Sequence, residues 1–366
     1  MKSTSVWRHF DLWLTAAVLL LTAYGILAIK SAVTGAPAFE TYPQRQIIFA
    51  VVGLVIMLVV ASIDYRILTS SHWYIYAFLI GSLIFVSVLG VINNESRRWI
   101  SLGFIQLQPS EFGRVIIAIT FAQFLVRRQH QMGRFSNTLL ALAYIGLPVI
   151  LIFIQPDLGM SIVFMVLWFV LIWLAGLPLS HFAVLATVAI IAAVVLFPSL
   201  ADYQQERLTA FVNPESLPEQ SFNIEQALIS IGSGGWWGKG YLQGTQSQLG
   251  FLRVQHTDFI FAVITEEMGL ILGALVVLGL MGFILLRIVR VAAITPDPAG
   301  RYIAAGIATI LFFQTVVSVG MNLRLLPVTG LTLPFVSYGG SSLLTLYIGV
   351  GVVQSVLMRH RKQEFG

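Results

Sequence analysis

The chain contains no cysteine, which excludes a disulfide framework, a thiolate nucleophile and a cysteine-ligated metal. Charge is nearly as scarce. Asp, Glu, Lys and Arg together make up 10% of the residues, against about 25% in an average soluble protein. That is too little polar surface to cover a soluble fold of 366 residues. No internal repeat, low-complexity tract or soluble domain stands out. A nucleotide-binding P-loop is also missing, because the Gly238-Lys239 pair is followed by Gly240 where such a loop needs Ser or Thr. The formal charge of +5 is therefore read as membrane anchoring, with no nucleic acid as partner.

What remains is apolar. Hydrophobic residues make up 57% of the chain, in runs that repeatedly reach the roughly 20 residues needed to span a bilayer as a helix. The fold class expected is an all-α polytopic membrane protein, a single transmembrane domain over residues 1–366. Ten helices are expected, at 11–29, 45–62, 73–92, 110–126, 139–154, 160–176, 180–197, 259–287, 302–321 and 341–358. The first run is long for a signal peptide and shows no small-residue cleavage site, so it is read as a retained helix. Ten spans put both termini on one side. Lys2, Arg8, Arg66, Arg127, Arg128, Arg134, Arg287, Arg290, Arg301, Arg359, Arg361 and Lys362 lie on that side; only Lys30, Arg45, Arg97, Arg98 and Arg324 lie in short loops on the other. This bias predicts cytoplasmic termini.

One connection is long. Residues 199–258, between the seventh and eighth helices, form a large outer loop with six acids and three bases. Within it "SFNIEQALISIG" predicts a helix capped by Ser221 and stopped at Gly232, with Ile224, Leu228 and Ile231 on one face. Six glycines follow between Gly232 and Gly244. They permit close backbone approach to a ligand, with Lys239 as a cation for phosphate. Trp236 and Trp237 fit interfacial anchors.

Acids gather at the outer helix ends. Glu111 opens the fourth helix, Asp157 the sixth and Asp258 the eighth. Each has an ordinary explanation as a helix cap. Asp258 differs in its place, about 15 Å above the apolar run Met268–Leu286 if the chain is helical throughout. A helix N-terminus is expected to keep it ionised, which suits a general base. Glu266 falls roughly 80° round from Asp258 and Glu267 roughly opposite, so neither pairs with it. Both are read as helix-mouth residues that bond loop donors or basic partners. Arg114, one turn into its helix, is expected to pair with Glu111. Arg45, Arg97, Arg98 and Arg207 add outer cations. An ionised acid ringed by cations suits a substrate with a pyrophosphate and a reacting hydroxyl.

Four stretches, "RRWISLGFIQLQPSEF", "QPDLG", "IGSGGWWGKGYLQGTQSQLGFLRVQHTDFIFAVITEEMG" and "LPFVSYGGSS", resemble the SEDS family (shape, elongation, division and sporulation). Within it they resemble the RodA-type peptidoglycan glycosyltransferases of the elongation branch. Two departures stand out, Arg253 where the family often has proline and Arg114 where it commonly has lysine. The resemblance implies lipid II as substrate, β-1,4 linkage on the outer face, Asp258 as catalytic base and a class B penicillin-binding protein as partner. It implies that Arg45, Arg98, Glu111, Arg114, Asp157, Arg207, Lys239, His256, Thr257 and Ser337 surround the substrate. Arg and Lys side chains, or a divalent cation such as Mg or Mn, would steady the leaving pyrophosphate. Two rivals stay open: a flippase for the same lipid, and a non-catalytic scaffold for the partner. A flippase needs charge near the midplane, and a scaffold has no need of Asp258.

Overall fold

The computed structural model describes residues 7–93, 96–101, 103, 106–214 and 217–360. Lys2, Glu215, Arg361 and Lys362 of the charge inventory lie outside these residues. Apolar runs become helices because in lipid every backbone N–H and C=O must find its partner within the segment. The helices are α1 (Leu12–Ala32), α2 (Tyr42–Ser62), a short α3 (Tyr65–Ser70), α4 (His72–Leu89), α5 (Pro109–Val126), α6 (Phe135–Ile154), α7 (Leu158–Leu174) and α8 (Leu179–Leu196). After the long connection come α12 (Ile260–Met268), α13 (Val276–Ile294), α14 (Pro298–Asn322) and α15 (Gly340–Arg359). Among the described residues, eight helical stretches are long and apolar enough to cross a membrane, and two shorter apolar helices, Leu158–Leu174 and Ser180–Ile191, accompany them. A small antiparallel sheet, β1 (Val91–Asn93), β2 (Ser96–Ser101) and β3 (Gln106–Leu107), links α4 to α5.

α5, α14 and α15 are the most enclosed, and α15 carries small residues that let α2 approach closely. A Cβ on Gly351 would lie 2.8 Å from Met57 O, and one on Gly53 would lie 2.7 Å from the Tyr347 ring. Polar pairs lock the terminal end of the bundle. Asp11 N donates to Gln354 Oε1 at 2.9 Å, and Arg287 meets the Asp11 carboxylate at 2.6 Å.

The long connection is folded, with α9 (Asp202–Val212), α10 (Pro218–Gly234) and a one-turn α11 (Thr245–Gln248). α10 begins four residues before the expected start, with Leu217 and not Ser221 at the cap position. Ser221 lies inside it, its hydroxyl donating to Pro214 O at 3.2 Å, so it is not the cap. Ile224 and Ala227 are buried, and Leu228 and Ile231 partly so, which gives α10 its inner face.

The expected helix 259–287 is not continuous. A 35-residue helix spanning Ile260–Ile294 would be about 52 Å long, against an apolar thickness of about 30 Å. It breaks at Gly269, whose φ is +72°, and resumes through a π-helical turn, Gly269–Leu275. The break orphans backbone groups, and the glycine run supplies their partners. Lys239 N and Gly240 N donate to Glu266 O and Glu267 O at 3.0 and 2.9 Å, while Leu270 N and Ile271 N donate to Gly235 O and Trp236 O at 2.9 and 3.1 Å. A Cβ on Gly234 would lie 2.1 Å from Thr265 O, and one on Gly238 would lie 2.1 Å from Glu267 O. The close approach that these glycines permit is thus to the broken helix, which corrects the ligand reading. Gly238 also has φ +80°, so Gly238→Ala adds backbone strain to the clash. The expected cost is about 1–3 kcal/mol, read as a lower unfolding midpoint in detergent and faster proteolysis between α10 and α12. Parental values for both would contradict this account of the break.

Candidate active site

Several segments distant in sequence meet at the end of the bundle opposite the Asp11–Gln354 lock. The first is the turn before α12. Asp258 N and Thr257 N both donate to Val254 O at 3.2 Å, and Val254 is held at φ +54°. That conformation is unfavourable for a β-branched residue, with a cost of roughly 1–3 kcal/mol that the surroundings must offset. The loop before α15 pins this turn from the side. Tyr338 N donates to His256 O at 2.9 Å, and the Ser337 hydroxyl donates to Thr257 O at 2.7 Å while accepting from Leu333 N at 2.9 Å. Gln46 of α2 braces the same loop through Ser337 O and Gly339 N. His256 sits in an aromatic box, with ring centroids 4.9 Å from Phe39, 5.1 Å from Tyr42 and 6.0 Å from Tyr338. Burial pushes its imidazole below the usual histidine range. Arg45 is exposed at the first turn of α2 and hydrogen-bonds Tyr338.

Asp258 does not cap α12. Phe259 occupies the cap position without a side-chain bond, and Asn322, at the end of α14, supplies the missing acceptor by taking Ala262 N at 3.1 Å. Asn322 Nδ2 also donates to Asp258 O at 2.9 Å. The backbone of Asp258 is therefore held from α14, and its carboxylate is left for other work. That carboxylate is half-buried. Burial pushes its pKa up, against the Arg207 guanidinium and the Thr257 hydroxyl, which both pull it down. The expectation of a carboxylate kept low by a helix N-terminus is thus corrected. A raised pKa brings a base closer to neutral working pH and strengthens it.

Arg207 reaches in from α9. A methyl on Gly330 would lie 3.6 Å from Arg207 Nη1 and 4.0 Å from Asp258 Oδ2, so the missing side chain at Gly330 (φ +74°) keeps space between the two open. Arg207 also acts on Asp157, which burial raises and Arg98 opposes most. Here the ordinary reading holds, since Asp157 caps α7 by accepting from Met160 N at 3.1 Å and takes Gln108 Nε2 at 2.9 Å. Arg98 Nε donates to Gln155 O at 2.7 Å, and its Nη2 donates to Pro156 O and the Tyr203 hydroxyl. The β2 strand, the α6–α7 turn and α9 are joined in this way.

Not every expected site residue joins Asp258. Arg114 pairs with Glu111 as expected, but Arg114 is fully buried, with Nη2 donating to Ser342 Oγ at 3.1 Å. Lys239 lies at the far end of α12, about 12 Å along its axis from Asp258. Its ammonium meets Glu266 Oε1 at 2.8 Å and Thr245 Oγ1 at 2.7 Å. Glu266 also accepts from Gln246 N at 2.8 Å and Ser247 N at 3.1 Å, and Glu267 accepts from Ser31 Oγ at 2.5 Å. Both glutamates are buried at the helix break, so they bond loop donors but do not stand at a helix mouth. Asn322, Gln46, Gly330, Tyr203 and Tyr338 escaped the sequence reading. A lone Asn closing an apolar helix was the one signal that pointed to Asn322.

Among the described residues, no group of three His, Asp or Glu is placed to hold a metal ion. Beside Asp258 the nearest charged partner is a guanidinium, a poor neighbour for a bound cation. The described residues offer no ready-made cage of three protein ligands for a divalent ion. They fit proton removal by Asp258 next to a cation that faces negative charge.

The model of the FtsW/RodA/SpoVE family, described as a cell cycle protein, matches residues 11–362. The peptidoglycan glycosyltransferase MrdB of Escherichia coli K12 is 39% identical over 356 residues, covering 97% of this chain and 95% of MrdB. The peptidoglycan glycosyltransferase RodA of Treponema pallidum is 31% identical, covering 96% and 98%. Among solved structures, a chain of a peptidoglycan synthase complex coordinating polymerization and crosslinking superposes with a TM-score of 0.81 at 29% identity, covering 98% of this chain and 99% of that one. The rod shape determining protein RodA of Thermus thermophilus gives 0.72 at 29%, covering 97% and 99%. A family match over nearly the whole length shows that the chain belongs to the SEDS family of FtsW, RodA and SpoVE.

Proposed function

We propose that this inner-membrane protein is a peptidoglycan glycosyltransferase that polymerises lipid II into β-1,4 glycan strands at the outer face of the bacterial cytoplasmic membrane. In this reading both termini are cytoplasmic, the product supports cell elongation and shape, and a class B penicillin-binding protein is the partner. One observation carries it. Asp258 is a half-buried carboxylate that caps no helix, has a raised pKa and faces Arg207 across a gap.

Asp258 accepts the proton of the acceptor sugar's 4-hydroxyl as that oxygen attacks the donor's anomeric carbon. The bond to the lipid pyrophosphate breaks with inversion. The departing pyrophosphate is already an anion and needs no proton, only positive charge. Arg207, together with Arg98, which acts with it on Asp157, and Arg45, which bonds Tyr338, supplies that charge. Asp157, His256, Thr257 and Ser337 hold the frame. Glu111 and Arg114, and Lys239 with Glu266, stabilise the bundle and the helix break.

The test is polymerisation of labelled lipid II by the purified protein with its penicillin-binding partner. Glycan polymer is expected from the parent and none from Asp258→Ala. A protein that scrambles lipid II across vesicles and never polymerises it would establish the flippase instead.

The raised pKa sets a pH dependence. A base works only when deprotonated, so the rate rises with pH through the pKa of Asp258. Arg207→Gln leaves burial opposed by the Thr257 hydroxyl alone, pushes that pKa higher and moves the acid limb of the rate profile to higher pH. An unmoved limb in Arg207→Gln would remove Arg207 from the base's environment.

A further inference from the structure

At the end of the bundle away from Asp258, the start of α4 and the end of α5 border a cavity of about 300 Å³, lined by His72, Trp73, Phe124, Arg127, Arg128 and Gln131. The reaction proposed above makes no use of it. Two cations face it. Arg128 lies with its guanidinium carbon 4.3 Å from the centre of the Phe124 ring, a contact that fixes the plane of the guanidinium, and Arg127 is exposed beside it. Trp73 is exposed on the first turn of a membrane-spanning helix, where indoles favour the headgroup level.

His72 adds an independent pointer. It is 2% exposed, and its Nδ1 lies 2.9 Å from Thr69 O. A carbonyl only accepts, so Nδ1 donates, and in the neutral ring Nε2 carries a lone pair. Nε2 is buried and has no partner in the protein. An unmet buried acceptor costs about 1–3 kcal/mol, so a donor from a ligand is favoured there.

We propose that this cavity binds the headgroup of an anionic phospholipid that carries a free hydroxyl, of which phosphatidylglycerol is the simplest. The phosphodiester meets Arg127 and Arg128. A glycerol hydroxyl donates to His72 Nε2. Trp73 borders the ester region of the lipid. Phosphatidylethanolamine and phosphatidylcholine would bring a cation toward two guanidiniums, and phosphatidic acid lacks the hydroxyl.

The test is native mass spectrometry of the delipidated full-length protein, titrated with phosphatidylglycerol, phosphatidylcholine and phosphatidic acid. The parent is expected to prefer phosphatidylglycerol over phosphatidylcholine by about ten-fold. Arg127→Gln/Arg128→Gln loses that preference. His72→Phe keeps it and loses only the preference over phosphatidic acid. Equal binding of phosphatidylglycerol and phosphatidylcholine by the parent, or an unchanged preference in the double arginine variant, overturns the proposal. Displacement of phosphatidylglycerol by millimolar inorganic phosphate overturns it too, in favour of a free-phosphate site. Both arginines have solvent access, so their variant remains decisive even if His72→Phe fails to fold.

Discussion

Asp258→Asn lowers the rate of glycan polymerisation by about 10²–10⁴-fold, the usual worth of a positioned general base. Asparagine keeps the size and most of the polarity of the side chain. It keeps the backbone bonds from Asn322, Ser337 and Tyr338 that hold the turn. Folding and lipid II affinity should therefore change little, and the loss should fall on turnover. Single-turnover kinetics with saturating lipid II separate the two. A loss confined to affinity, with parental turnover, would make Asp258 a binding residue.

Arg114→Met destabilises the protein by roughly 3–5 kcal/mol, because it leaves the buried Glu111 without its cation. Arg114 is fully enclosed, and its Nε and Nη1 have no further hydrogen-bond partner, so Glu111 and Ser342 are the groups that hold it. Removing both charges removes the problem. Glu111→Gln/Arg114→Met is expected to recover most of the loss, since neutral groups of similar size need no buried counter-charge. Unfolding midpoints in one detergent compare the three proteins. A double variant as unstable as the single one would show that the cost comes from lost packing, with the charge incidental.

The helical plan was legible because runs of about 20 apolar residues have few other outcomes. The pairing of Glu111 with Arg114 followed from their spacing on one helix face. Asp258 could be singled out, but its electrostatics could not. The turn was expected to offer a bare helix N-terminus, yet Asn322 arrives from α14, 64 residues along the chain, to cap that end. No local pattern encodes such a contact. The glycine run shows the same limit. Gly234 and Gly238 do need the absence of a side chain, as the clustering of glycines suggested, but what approaches them is the backbone of α12. That helix breaks at Gly269 because the loop can satisfy the groups the break exposes, and the loop's fold is a tertiary matter. Lys239 was grouped with the outer cations by composition, whereas α12 separates it from Asp258.

The central claim is that Asp258 removes the acceptor proton, and the pH–rate profile of Asp258→Asn beside the parent tests it most directly. The parent should show an acid limb above the ordinary carboxylate range. The residual rate of the variant should be flat across that window. A variant that polymerises at the parental rate with the same limb would mean that the base lies elsewhere.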